Sequence, residues 1–550
     1  MTSRRGVAAR NAALLAASLL AACSSEPLST LPSADLPPEP ASELVERHPL
    51  PSEGRAGTLA GPKALYDGSL DDPRFGFPIG AIRWPAWTSD DAVMFGRFVP
   101  KTTAQEVYVD YGHRRPVAWD DFHVYGPGID TQAIIDAEIL QAFRIIDWWQ
   151  YDWYPNISAF ASDPGNIPPQ AYINTALDCH RKSPYRRLVK YALMLQPGWM
   201  SYATARGGVF GPDAYAKMPA YIAEIAAIIA EPNYMRINDR PILGVYGYAS
   251  MTALQRAEWI EQLSLLLDAL PPIWLIVQDY NTAGAQDMGA HYKTTYGPNP
   301  LLPSGATQLP FAEQHVRDLS SWNPLPGLKV ACSLTPVQDR RPWTGGPTSY
   351  VDQPTMPELM KHISAAFNYS VNGVRPDFML IYSWDEMGEG GPGIAPTQQE
   401  GTRYLDAIDW ARTGIRPDSY SYALDAAQHN FKKLGSWTRS RQIPGMFNHD
   451  EITSNYTGDR VEFSHERALE LGVVATTGPD RGIAHVYIDG LFQQAVDLYS
   501  PLRQLQQLVW NSSRLTGKTH TITVEVSGKK HPLSSSTLIG YDASRITFEP

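Results

Sequence analysis

The chain has 550 residues, a formal net charge of −11 at pH 7, 43% hydrophobic residues and three cysteines. That length supplies a large core and more than one domain. The acidic balance argues against nucleic acid and against electrostatic attraction to anionic lipid, and three cysteines exclude a disulfide framework.

The N-terminus reads as a targeting segment. Arg4, Arg5 and Arg10 form a basic region, Ala12 to Leu19 a short apolar one, and Leu20-Ala21-Ala22-Cys23 a lipobox. The apolar run is too short to span a bilayer, so residues 1–22 are expected to be a signal peptide, with lipid carried on Cys23. An ordinary cleaved signal peptide is the alternative. Residues 23–74 are rich in serine and proline, as in Leu36-Pro37-Pro38-Glu39-Pro40. Such a composition cannot bury a core and favours extended polyproline geometry, so it is expected to tether a domain to the membrane through the N-terminal lipid alone. The expected location is the cell envelope, extracytoplasmic.

Residues 75–415 parse as apolar runs alternating with helical patterns. The runs are Ile79 to Trp84, Ile145 to Tyr151, Leu188 to Leu195, Ile242 to Tyr248, Ile273 to Asp279, His291 to Tyr296, Leu328 to Leu334 and Phe378 to Trp384. Helical spacing appears between them, as in Tyr221, Ile222, Ile225, Ile228 and Ile229. This alternation predicts an α/β fold, a (β/α)8 TIM barrel. A doubly wound open sheet is the alternative, disfavoured because no Gly-x-Gly-x-x-Gly follows the first strand. The weak points are the short fifth connection, Asn281 to Ala290, and the polar sixth strand.

The eighth run leads into Asp385, Glu386 and Glu389 among four glycines, and Thr397-Gln398-Gln399-Glu400 is expected to start a helix as a capping box. A strand, an acidic loop and a helix is how a barrel builds its active site at the strand C-termini. Two carboxylates three residues apart there can act as acid and base in glycoside cleavage. The alternative is a solvated acidic loop, or one that binds backbone amides. No His-Glu-x-x-His, Cys-x-x-Cys, EF-hand or Gly-x-Ser-x-Gly motif occurs, so no metal or other cofactor is expected.

The segment SWDEMGEGG resembles the S-[FW]-N-E-W-x-E-G motif of family 99 glycoside hydrolases, endo-acting on α-mannans. It is closer to the bacterial proteins called glycoside hydrolase 71/99-like. The resemblance implies Glu386 as base and Glu389 as acid, opening the glycosidic bond through the sugar's own 2-hydroxyl. This chain has Asp385 where the family has Asn and Met387 where family 99 has Trp. An Asp at that position repels the charge of Glu386 and raises its pKa. The 71/99-like proteins also resemble the first strand end, typically with an acid where this chain has Pro85.

Aromatic and polar residues at the strand ends complete the expected sugar site. They are Arg83, Trp84, Trp87, Trp149, Tyr151, Tyr246, Asp279, Trp384 and Asp385. Core packing is the competing reading for each aromatic, and Asp147 is either a paired structural acid or part of the site.

Residues 416–435 are expected to be a linker. Residues 436–550 show short β runs, and Val486-Tyr487-Ile488-Asp489-Gly490, Ala495-Val496-Asp497-Leu498-Tyr499 and Arg503 with Gln506-Gln507 resemble jelly-roll modules of the galactose-binding type, which implies either a carbohydrate-binding sandwich or a structural one. The whole predicts a lipid-anchored glycoside hydrolase, endo-acting on an α-linked polysaccharide or oligosaccharide of the α-mannan or α-glucan type. The alternative is a non-catalytic surface glycan-binding lipoprotein. Cys179 and Cys332 are expected to be free.

Overall fold

The computed structural model describes residues 77–84, 131–143, 145–153, 174–195, 213–247, 252–278, 283–295, 308–322, 325–336, 350–370, 372, 374–385, 393–397, 400–414, 419–441, 443, 446–447 and 450–549. They fall in one compact unit.

The strands of the first half are β1 (Ile79–Arg83), β2 (Trp148–Trp153), β3 (Lys190–Leu195), β4 (Arg236–Ile237), β5 (Arg240–Tyr246), β6 (Trp274–Gln278), β7 (Tyr292–Thr294), β8 (Gln308–Leu309), β9 (Lys329–Val330), β10 (Cys332–Leu334), β11 (Tyr350–Val351) and β12 (Met379–Ile381). Nine of them form a parallel path, β10-β12-β1-β2-β3-β5-β6-β7-β9. Its two ends, β9 and β10, are separated in the chain by Ala331 alone, so the path curls into a nearly closed parallel barrel. These strands are largely buried on both faces, as in a parallel sheet under helices, and most are apolar, though β2 carries Gln150 and Asp152 and β7 carries Lys293 and Thr294. In β3, every residue after Lys190 is buried.

Helices alternate with the strands: α1 (Thr131–Ala142), α2 (Thr175–Lys182), α3 (Asp213–Ala230), α4 (Ala253–Ala269), α5 (Ala283–Asp287), α6 (Phe311–Ser321), α7 (Met356–Asn368) and α8 (Arg403–Thr413). The short fifth connection holds α5, a single five-residue turn of helix. A capping box of Thr355 and Glu358 starts α7. The expected box at Thr397 does not start a helix. The Glu400 amide does donate to Thr397 Oγ1, at 3.0 Å. The Glu400 carboxylate, however, is taken by Arg403 and Gln353, the Thr397 amide donates to the Gly401 carbonyl at 3.4 Å, and α8 begins five residues later than expected.

Side-chain direction in the barrel follows from ring contacts. Phe378 lies 5.8 Å from Trp148 on β2 and 5.1 Å from Tyr292 on β7, so both rings point into the barrel. Strand alternation then turns Gln150 and Asp152 inward and Trp149, Tyr151 and Trp153 outward. The outward set meets the helices: Trp149 packs at 5.2 Å on His180 of α2, and Trp153 at 6.3 Å on Tyr221 of α3.

Antiparallel strands follow, beginning with β13 (Tyr420–Asp425) and β14 (Phe431–Leu434), which lie in the stretch expected as a linker. The rest are β15 (Thr438–Arg441), β16 (Asp450–Ser454), β17 (Arg460–His465), β18 (Ala468–Thr477), β19 (Gly482–Ile488), β20 (Leu491–Asp497), β21 (Gln504–Asn511), β22 (His520–Lys530), β23 (Ile539–Tyr541) and β24 (Ala543–Phe548). They build sheets β13-β24-β18-β21, β14-β17-β22-β19-β20 and β15-β16-β23. His465 of β17 touches Tyr422 of β13 and Phe548 of β24, so the two larger sheets pack face to face. Cys332 is buried, Cys179 half-buried, and no disulfide joins them.

Candidate active site

The strand C-termini define the mouth of the barrel, where a parallel barrel gathers its functional groups. Strand β12 ends there, and Trp384 and Asp385 follow it. The Trp384 amide donates to Ile82 O at 2.7 Å, which fastens the segment to the end of β1. A Cβ added at Gly393 (φ 68°) would lie 2.2 Å from the Trp384 carbonyl, so only glycine lets the returning chain cross there.

Five of the residues expected from sequence come together in one buried cluster. Arg83, Trp149, Tyr151, Trp384 and Asp385 are all at 2% exposure or less. The Arg83 guanidinium bonds Glu138 of α1 and stands 3.5 Å from Asp385. It also lies over the rings of Trp149 and Tyr151, at 5.1 and 5.5 Å. Trp384 packs on Trp149 at 5.2 Å. Tyr151 Oη lies 3.2 Å from His180 Nδ1, while His180 Nε2 lies 2.9 Å from the Val189 carbonyl.

These groups occupy the layer between the sheet and helices α1 and α2, on the outward face of β1 and β2. From sequence, Arg83, Trp149, Tyr151, Trp384 and Asp385 are expected to meet the sugar. The structure buries their side chains beneath the surface, where they hold the strand end that leads to the acidic loop. Trp84 and Tyr246 are half-buried at the ends of β1 and β5. Trp87, Asp279, Glu386, Glu389 and Cys23 lie outside the described residues. Asp147 is a structural acid, since it accepts from the Ile79 amide at 2.8 Å and pairs with Arg412 at 2.9 Å.

Burial and charge shift the cluster's proton equilibria. Burial pushes the Asp385 carboxyl up to about 7; Arg83 opposes the rise and Glu138 adds to it. Burial works against the Arg83 charge, but Glu138, Tyr151 and Asp385 outweigh it and raise that pKa. Burial lowers His180 to about 3 and keeps it neutral. Among the described residues Arg83 faces both Glu138 and Asp385, and Asp385 keeps its proton to near neutrality.

Two members of the cluster were missed in the sequence, Glu138 and His180. Both carry a readable signal, a polar residue on the apolar face of a helix. Glu138 shares its face with Ile134, Ile135 and Ile139, and His180 shares its face with Ala176 and Leu177. Among the described residues, no group of three or more His, Cys, Asp or Glu side chains is placed to hold a metal ion.

No protein-family model and no curated protein sequence matches the chain. Among solved structures, the chain is similar to a glycoside hydrolase-like protein, with 13% identity, 64% of this chain and 99% of that one covered, and a TM-score of 0.42. It is also similar to the GH99 endo-alpha-mannosidase from Bacteroides thetaiotaomicron, with 14% identity, coverage of 51% and 78%, and a TM-score of 0.33. A family 35 carbohydrate binding module from an environmental isolate is 12% identical, with coverage of 24% and 97% and a TM-score of 0.18. Strand order and side-chain placement define the class by themselves: a nearly closed parallel β/α barrel joined to an antiparallel β domain, with a buried charge cluster under one strand end of the mouth.

Proposed function

We propose that the protein is a glycoside hydrolase, endo-acting on an α-linked polysaccharide of the α-mannan or α-glucan type, with Glu386 as base and Glu389 as acid. The observation that carries the reading is the end of β12. Trp384 and Asp385 are anchored at the barrel mouth, and Glu386 and Glu389 follow directly in the sequence. Strand C-termini are where barrel enzymes place their catalytic groups. Counting β9 and β10 as one strand across Ala331 makes the barrel an eight-stranded (β/α)8. In this reading Arg83, Glu138 and Asp385 are positioning residues, and Trp84 and Tyr246 border the cleft.

The test is to screen the protein from residue 52 onward against α- and β-linked polysaccharides with product sizing, then to assay Glu386→Gln and Glu389→Gln on the substrate found. Each substitution should cost roughly 10²–10⁴ in rate. Binding without turnover by the unsubstituted protein would favour a glycan-binding role instead. Wild-type rates in both variants would sink the assignment.

The reading places the protein in the cell envelope, outside the cytoplasm, held by lipid on Cys23. Cys23→Ala should release it from membranes, and its retention after a salt wash would contradict the anchor. The antiparallel domain is read as a jelly-roll-like sandwich that supports the barrel or binds polymer.

A further inference from the structure

We propose that Gln150 and Gln278 form the hydrogen-bonding floor of the barrel mouth and take the hydroxyls of a neutral sugar ring. This deepens the hydrolase reading and rests on it. Gln150 lies on the inward face of β2, two residues beyond Trp148. Gln278 ends β6, in register with Tyr246 of β5 and, on the other side, with Thr294 of β7. Tyr246 is half-buried, so this layer is the one that meets the mouth.

Both glutamines are fully buried. Among the described residues, neither the oxygen nor the nitrogen of either amide has a hydrogen-bond partner, and neither does Thr294 Oγ1. Five polar atoms without partners on one inward face are unusual, because buried polar groups are nearly always paired. The two amides also converge. A Cβ added at Gly244 of β5 would lie 2.0 Å from Gln150 Nε2 and 3.2 Å from Gln278 Nε2, so the missing side chain at Gly244 is what gives the amides their space.

The chemistry of this layer selects a class of ligand. An amide offers both donors and acceptors without charge, and a sugar hydroxyl likewise both donates and accepts. An anion would find no Arg or Lys among the described inward residues of the layer, and it would meet the inward carboxylate of Asp152.

The test is calorimetric titration of linear α-mannotriose and of maltotriose into the full chain carrying Glu389→Gln, which keeps the sugar intact. The titration is repeated with Gln150→Met and Gln278→Met added singly, and Tm is measured for each. Each Met variant should raise Kd about tenfold or more, as loss of a paired amide implies, while Tm stays level or rises because an unpaired polar group has gone. An unchanged Kd with a lower Tm would overturn the proposal, since the amides would then serve the fold through internal water. Should a Met variant fail to fold, Gln150→Asn and Gln278→Asn keep the polar group but retract it by one methylene. An unchanged Kd there overturns the proposal equally. If the parent chain binds neither sugar, the hydrolase reading falls and this inference with it. If it binds but the variants bind equally well, only this inference falls.

Discussion

The guanidinium of Arg83 stands 3.5 Å from the carboxylate of Asp385, with both side chains fully buried. Glu138 bonds the same guanidinium, and its charge, added to burial, favours a protonated Asp385. A protonated Asp385 is a neutral group shaped much like asparagine, the residue the resembling family has there. Its folded pKa of about 7 is above its ordinary value of 3.8. Its contribution to stability is therefore complete below about pH 4 and is lost as pH rises through 7, because the unfolded chain gives up the proton first. Asp385→Asn should remove that loss. Urea unfolding at pH 5 and pH 8 should show a smaller difference for the variant than for wild type, with the variant the more stable at pH 8. An equal pH dependence in the two would contradict this account.

Arg83 is the cation that makes the cluster tolerable. Arg83→Met takes the guanidinium away from Glu138 and Asp385, and breaking a buried pair in this way costs roughly 3–5 kcal/mol. Replacing all three ionisable groups, as in Arg83→Met with Glu138→Leu and Asp385→Asn, should recover most of that loss. Denaturant unfolding of the single and triple variants checks it: equal destabilisation would mean that the packing of Arg83 on Trp149 and Tyr151, rather than its charge, is what matters.

The barrel strands were legible because most are buried apolar runs, and every run marked in the sequence overlaps a barrel strand. Their side-chain directions were not legible. In Trp-Trp-Gln-Tyr-Asp-Trp, Gln150 and Asp152 alternate with Trp149, Tyr151 and Trp153, but both faces are buried, so the pattern does not say which of the two sets faces the barrel axis. The aromatics assigned to the sugar, Trp149 and Tyr151, proved to face the helices, while Gln150 between them faces inward. Strand β13 was hidden for another reason. It pairs with β24, more than a hundred residues further on, and local pattern carries no trace of such a partner.

Two inward glycines should respond differently to a methyl group. A Cβ at Gly80 would lie 2.2 Å from the indole of Trp148, a rigid ring held in place by Phe378. At Gly244 the nearest atom, at 2.0 Å, is the end of the flexible Gln150 side chain. Gly80→Ala should therefore cost about 1–3 kcal/mol, the usual range for overpacking, and Gly244→Ala less. Thermal unfolding of both ranks them, and the reverse order would mean that the Gln150 amide is held more firmly than the indole.

The antiparallel domain is fastened to the barrel by buried polar contacts, which bears on whether it can be removed. Tyr422 Oη accepts from the Met356 amide at 3.1 Å, at the start of α7, and its ring lies 4.7 Å from the Arg403 guanidinium. Gln428 donates to Gln353 at 3.2 Å, and Gln353 in turn donates to Glu400. Asp352 accepts from the His429 amide at 2.7 Å, and Arg439 donates to Gln308 at 2.8 Å. Cutting after Thr413 would expose the buried Arg403–Glu400 pair and strip partners from Gln353, Asp352 and Gln308. Each buried polar group left unpaired costs on the order of 1–3 kcal/mol, and a domain has only about 5–15 kcal/mol to lose. The barrel ending at Thr413 should thus be recovered insoluble or with a markedly lower Tm than the full chain. A milder probe is Tyr422→Phe, which removes one hydroxyl from the junction and should lower Tm by a few degrees, a loss of about 1 kcal/mol. A soluble truncated barrel that melts with the full-length Tm would show that the domain is a separable module, and that these contacts join two bodies that are stable apart.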